Sequence, residues 1–146
     1  MAAKNIGIQV SVPKEECDDK NCPFHGVLIC RGNSFEGVVV SSKMHRTATV
    51  EWKWLRYIPK YERYESKKTR VKAHNSPCIN AKEGEIVKII GCRPLSKTKN
   101  FVIVEKLGTD VDYIIKRETM KADEETVSKK NKDNIAKEKE SENAAS

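Results

Sequence analysis

Between residues 31 and 107 the chain breaks into five short β-rich runs, and no stretch of ten or more residues there carries a helical repeat. The first run is Phe35–Ser41, with Val38, Val39 and Val40. The second is Thr47–Ile58, where Ala48, Val50, Trp52 and Trp54 share one face by period two. The third, Lys68–Ala73, has Val71 as its one clear apolar residue, and the fourth and fifth are Ile86–Cys92 and Asn100–Leu107. Gly32, Gly84, Gly91 and Gly108 mark ends or bulges. Five short strands cannot make two stacked sheets of useful width. A small sheet closed on itself removes its exposed edges and still buries a core. An all-β, five-stranded barrel is therefore predicted, with Val38, Val40, Val50, Val87, Ile89, Phe101 and Ile103 inside.

The flanks read differently. Residues 1–30 form an irregular N-terminal extension broken by Pro13, Pro23 and Gly26, with an acidic patch at Glu15, Glu16, Asp18 and Asp19. Residues 108–146 form a charged tail, in which Val111, Ile114 and Ile115 can start a short helix. From Lys121 onward only Val127 and Ile135 are large and apolar, too little to offset chain ordering, so a disordered tail is expected, with a single helix on a partner surface as the alternative. The expected division is thus 1–30, 31–107 and 108–146. No apolar run exceeds four residues, which excludes a transmembrane helix, and the first residues lack a secretory apolar stretch. Five cysteines, an odd number without an export signal, argue against a disulfide framework and for a reducing, cytoplasmic location.

Charge is concentrated in the predicted barrel. Residues 31–107 hold 17 Lys and Arg against seven Asp and Glu, a net +10 in a chain whose total is +7. Such a field attracts polyanions. The densest part is residues 52–75, where Arg56, Lys60, Arg63, Lys67, Lys68, Arg70 and Lys72 alternate with Tyr57, Tyr61 and Tyr64. Cations neutralise phosphates, and tyrosine rings offer stacking surfaces for bases or riboses. A charge-protected edge strand with half-buried tyrosines has the same composition. Two turns repeat the theme: Ser42, Lys43, Arg46 and Thr47, then Arg93, Ser96, Lys97, Thr98 and Lys99. Any solvated turn is polar, but two such turns and a long basic segment on one small barrel favour RNA.

Catalytic signatures are missing: no Gly-rich phosphate loop with Lys–Ser/Thr, no GxGxxG, no HExxH, no GxSxG. An enzyme, or any small-molecule substrate, has no residues to point to. No cofactor is called for either, with one candidate exception. Cys17, Cys22 and His25 lie within nine residues, and Cys30 is close enough to complete a zinc tetrahedron. The spacing is looser than paired C-x2-C, and no second pair accompanies it. We prefer packing of Cys22 and Phe24 against the barrel, with His25 meeting RNA or water; Cys78 and Cys92 are read as packing residues.

Several motifs resemble one family. Gly84–Ser96 (GEIVKIIGCRPLS), continued by Lys97, Thr98 and Lys99, resembles the most characteristic motif of the small-subunit ribosomal protein seventeen family. Gly37–Thr47 (GVVVSSKMHRT) resembles its first turn, and Leu55–Glu65 with Cys22–Gly26 (CPFHG) resembles its archaeal and eukaryotic branch. The resemblance spans residues 5–107. It implies an OB-type barrel that binds small-subunit ribosomal RNA in its 5′ domain, aids early assembly, and works bound to the ribosome beside neighbouring small-subunit proteins. Position by position it implies RNA contact by Lys43, Met44, Arg46 and Thr47; by Arg56, Tyr57, Lys60, Tyr61, Arg63 and Tyr64; and by Arg93, Ser96, Lys97, Thr98 and Lys99. His74 falls where the family also places basic contacts, and Lys67, Lys68 and Arg70 complete the predicted surface. The sequence departs from the family at Gly91, Glu85, Ser42, Trp52 and Trp54. The competing expectation is an OB module for single strands acting outside the ribosome.

Overall fold

The computed structural model describes residues 4–13 and 15–120. Five strands, β1 (Cys30–Met44), β2 (Thr47–Ile58), β3 (Arg63–His74), β4 (Glu85–Ser96) and β5 (Lys99–Thr109), close into a barrel in the order β1-β2-β3-β5-β4. Every pairing is antiparallel except β3 with β5. This is the OB-type barrel the resemblance implies.

Strand β1 makes closure possible by serving two neighbours. Its first half pairs with β4 and its second with β2, and Val38 faces both Ile86 and Glu51. Gly37 stands at this crossover, where a Cβ would come within 2.7 Å of the Glu51 carbonyl oxygen and 2.8 Å of Val50 Cγ1. Only glycine lets the two strands approach so closely.

Val39, Ala48, Val50, Ala73, Val87, Ile89 and Ile103 are fully buried. The expectation for β1 needs correction: Val39 is inside, while Val38 and Val40 are only half-buried. Three successive valines carry no alternation from which to read parity, and a one-residue shift swaps the faces. Phe101 is also half-buried, set edge-on to Phe35 at 6.1 Å, while Phe35 stacks on Trp52 at 4.9 Å. The observed strands, other than β2, run beyond the expected bounds, because the polar residues at their ends pair without being buried.

Burial of the adjacent Ile89 and Ile90, and of Val102, Ile103 and Val104, shows that β4 and β5 are covered on both faces. The N-terminal extension supplies part of that cover. Phe24 and Leu28 join the core, and Ile6, Ile8 and Val10 pack against it. Ser11 fixes the path along β5, donating from its backbone N–H (3.0 Å) and its hydroxyl (2.6 Å) to Glu105 Oε1. The described residues up to Asp110 form one compact unit. The second unit begins at Val111, and residues 111–120 in it are helical, as Val111, Ile114 and Ile115 suggested. The expectation for Lys121 onward falls outside the described residues.

Candidate nucleic-acid interface

The β1–β2 and β4–β5 connections are tight turns, and one lysine ties them together. Lys99 donates from Nζ to the Arg46 carbonyl (3.4 Å) and to Thr47 Oγ1 (3.0 Å). The Thr47 hydroxyl in turn donates to the His45 carbonyl at 3.0 Å, and Arg46 sits at a left-handed φ of 47°. Lys43, Met44 and Arg46 are exposed beside Ser96, Lys97 and Thr98, whereas Thr47 is buried and acts as a strut. Arg93, also exposed, reaches Asn21 Oδ1 at 3.5 Å, so the extension borders the same surface.

A buried polar hub lies beneath these turns. Asp19 Oδ2 accepts from His74 Nε2 at 2.7 Å, and Oδ1 accepts from the Asn21 N–H at 3.0 Å and faces Arg46 Nη1 at 3.5 Å. His74 is 2% exposed and its Nδ1 has no partner among the described residues. Burial depresses the imidazole, helped by Lys99 and Arg46 and opposed by Asp19. Burial works to raise the Asp19 carboxyl, but the Asn21 N–H, His74 and Arg46 hold it below its ordinary value. The pair is therefore a carboxylate accepting from a neutral imidazole. His74, expected among the basic contacts, is placed inside, where it positions Arg46 through Asp19.

The β2–β3 hairpin extends past the core. Its register is unbroken from Thr47 opposite His74 to Ile58 opposite Arg63. Residues directly opposite share a face. One face therefore carries Lys53 with Lys68, Glu51 with Arg70, Thr49 with Lys72, and Tyr57 with Tyr64. The other carries Arg56, Ile58, Arg63 and Lys67 beside Trp52 and Trp54. The two tyrosine rings lie 5.2 Å apart, and Lys60 sits over the Tyr61 ring at 5.3 Å. At the tip, a 3-10 turn over Pro59–Tyr61 ends at Glu62 with φ 50°. Leu55, Tyr61 and Tyr64 are each more than 60% exposed.

Apart from the buried His74, the predicted contacts thus split into four groups: the joined turns, two hairpin faces, and the hairpin tip with Lys60 and Tyr61. Lys72, read as part of the basic segment, belongs to the first hairpin face, as does Lys53, which was not among the predicted contacts; the period-two spacing with Lys68, Arg70 and Lys72 opposite is the signal that would have found it. Glu51 pairs with Arg70 and lowers the net charge of that face.

The predicted cysteine cluster is rearranged. Cys22 and Phe24 pack into the core as expected. Cys30, the expected fourth ligand, instead faces Cys92 across β1 and β4. Burial, then Cys92 and Cys22, push its thiol up to about 11. Cys78 takes its place beside Cys17, Cys22 and His25.

The sequence pattern described as Ribosomal protein S17 matches residues 37–105. The chain is 62% identical over 108 residues to small ribosomal subunit protein uS17 of Methanocaldococcus jannaschii, covering 74% of this chain and 92% of that protein. It is 57% identical over 105 residues to the protein of that name from Methanopyrus kandleri (72% and 89% covered), and 56% over 102 residues to that of Methanococcus vannielii (70% and 94%). With barrel, turns and sequence in agreement, the chain belongs to the ribosomal protein S17 family.

Proposed function

We propose that this protein is a structural, non-catalytic constituent of the small ribosomal subunit that binds folded ribosomal RNA of the 5′ domain and helps the particle assemble. The observation that carries this reading is the joined pair of basic turns set beside an arm that projects from a rigid barrel. The RNA-facing groups are Lys43, Met44 and Arg46 with Arg93, Ser96, Lys97 and Thr98, and, on the arm, Arg56, Tyr57, Lys60, Tyr61, Arg63, Tyr64, Lys67, Lys68 and Arg70, joined by Lys53 and Lys72. Thr47, His74 and Lys99 hold the turns in shape. Lys53 directly opposite Lys68 is a repulsive pair in a hairpin alone, and a phosphate backbone relieves it. Residues 31–107 carry the binding surface, and the described residues of 1–30 brace it. Among the described residues no helix is long and apolar enough to cross a membrane. The working location is the cytoplasmic ribosome, beside other small-subunit proteins.

The test is filter binding to small-subunit ribosomal RNA across a salt series. With about six phosphates engaged, affinity falls by about 10³ between 50 and 200 mM salt. A flat response, or equal competition by an unstructured homopolymer, contradicts the proposal.

A further inference from the structure

We propose that Cys17, Cys22, His25 and Cys78 bind one structural zinc ion that clamps the N-terminal extension to the β3–β4 connection. The four ligand atoms lie within 4.8 Å of one another. Zinc bonds of about 2.3 Å to sulfur and about 2.0–2.1 Å to nitrogen give tetrahedral edges of about 3.8 Å between sulfurs and about 3.6 Å from sulfur to nitrogen. The observed edges are 3.6 Å from Cys22 Sγ to Cys78 Sγ, 3.4 Å from Cys17 Sγ to His25 Nδ1, and 3.7 Å from Cys22 Sγ to His25 Nδ1. Three of the six edges lie close to those of the polyhedron, and the other three are no longer than 4.8 Å. Four protein ligands leave no open position, which makes the site structural and not catalytic.

The surrounding chain is shaped for this arrangement. Cys22 to Gly26 form a tight turn closed by the Gly26 N–H on the Cys22 carbonyl at 3.0 Å, and backbone N–H groups of Phe24 and His25 face the Cys22 sulfur. Such donors suit a metal-bound thiolate. A Cβ at position 26 would meet the carbonyl oxygens of Lys20, Asp19 and Cys22 at 2.7 Å or less, so the turn requires glycine. Cys78 arrives from a connection that is itself fixed: the Asn75 side chain donates to the Ala81 carbonyl and accepts from the Ala81 N–H, both at 3.0 Å. On the same connection the Ser76 hydroxyl is fully buried and has no hydrogen-bond partner among the described residues. The metal thus adds a further tie between the barrel and an extension whose described residues before β1 hold no helix or strand: it bridges residues 56 apart in sequence.

The test uses the full chain purified under reducing conditions from zinc-supplied cells. Elemental analysis is expected to give one zinc per chain. Replacement by cobalt is expected to give tetrahedral d–d bands and thiolate-to-cobalt charge transfer, reversed by added zinc. Cys22→Ser and Cys78→Ser are expected to lose the metal, and Cys30→Ser and Cys92→Ser to keep it. Should the first two variants fail to fold, His25→Cys decides, because it preserves four ligands and is expected to retain zinc with a four-thiolate cobalt spectrum. Zinc well below one equivalent with no cobalt bands, a Cys22–Cys78 disulfide in the freshly reduced and chelator-free protein, or zinc lost from Cys30→Ser as readily as from Cys78→Ser would overturn the proposal.

Discussion

Replacing Asp19 by alanine tests the polar hub under the RNA-facing turns. Asp19 is 5% exposed and is the acceptor for His74 Nε2. His74 cannot escape by changing tautomer, because Nδ1 is equally buried and has no partner among the described residues. Wherever the proton sits, one buried N–H is stranded, at a cost of about 1–3 kcal/mol. Arg46 is roughly half-exposed, so its lost ion pair adds at most about 1 kcal/mol, and the Asn21 N–H is open enough for water to replace its acceptor. The expected total is about 1–4 kcal/mol. Urea unfolding with zinc present reads this as a midpoint lowered by about 1–3 M at unchanged slope. Removing both partners is the control. In Asp19→Ala with His74→Leu no buried donor remains, so more than half of the lost stability returns. A loss below about 0.5 kcal/mol for Asp19→Ala, or a double variant no better than the single one, refutes the stranded-donor reasoning.

Other expectations follow from the same contacts. His74 has its folded pKa below the ordinary 6.5, so the unfolded chain takes up the proton first as pH falls. Its contribution is complete above about pH 6.5 and is lost in the window beneath; urea midpoints between pH 7.5 and 5.5 should fall in the native protein and fall less in His74→Gln, and equal slopes contradict it. Lys97→Glu with Lys99→Glu should weaken RNA binding and reduce the salt slope by about one, for the Lys97 contact, with the barrel's circular dichroism retained; unchanged filter retention counts against the two turns as contacts. Lys97→Ala alone should alter RNA affinity but not stability, whereas Lys99→Ala should lower both, since Lys99 holds Arg46 and Thr47 in place. Gly37→Val should cost several kcal/mol, read by thermal unfolding, because its Cβ has no room at the β1–β2 crossover.

What the sequence made legible follows from physical range. Strand β2 was readable to its ends because Ala48 and Val50 alternate with polar partners and the run is bounded by turns. Strand β3 was read too short because Arg63 to Ser66 lie on an arm exposed on both faces, where no burial imposes a period. The parity of β1 was hidden by Val38, Val39 and Val40 together. The basic turns were visible as composition. Their union through Lys99 was not, since it depends on the parallel pairing of β3 with β5. His74 looked like a surface base because its acceptor, Asp19, is 55 residues away. Cys78 was missed for the same reason: a ligand set split between the extension and the β3–β4 connection leaves only its local half in the sequence.

The central claim, that this barrel and its cationic arm belong on the small ribosomal subunit, is tested most directly by gradient sedimentation of a cell lysate at moderate salt with quantitative mass spectrometry of each fraction. The account predicts the protein at about one copy per small subunit and almost none at the top of the gradient. A protein found mainly free, or spread over RNA fractions in proportion to their mass, would contradict it.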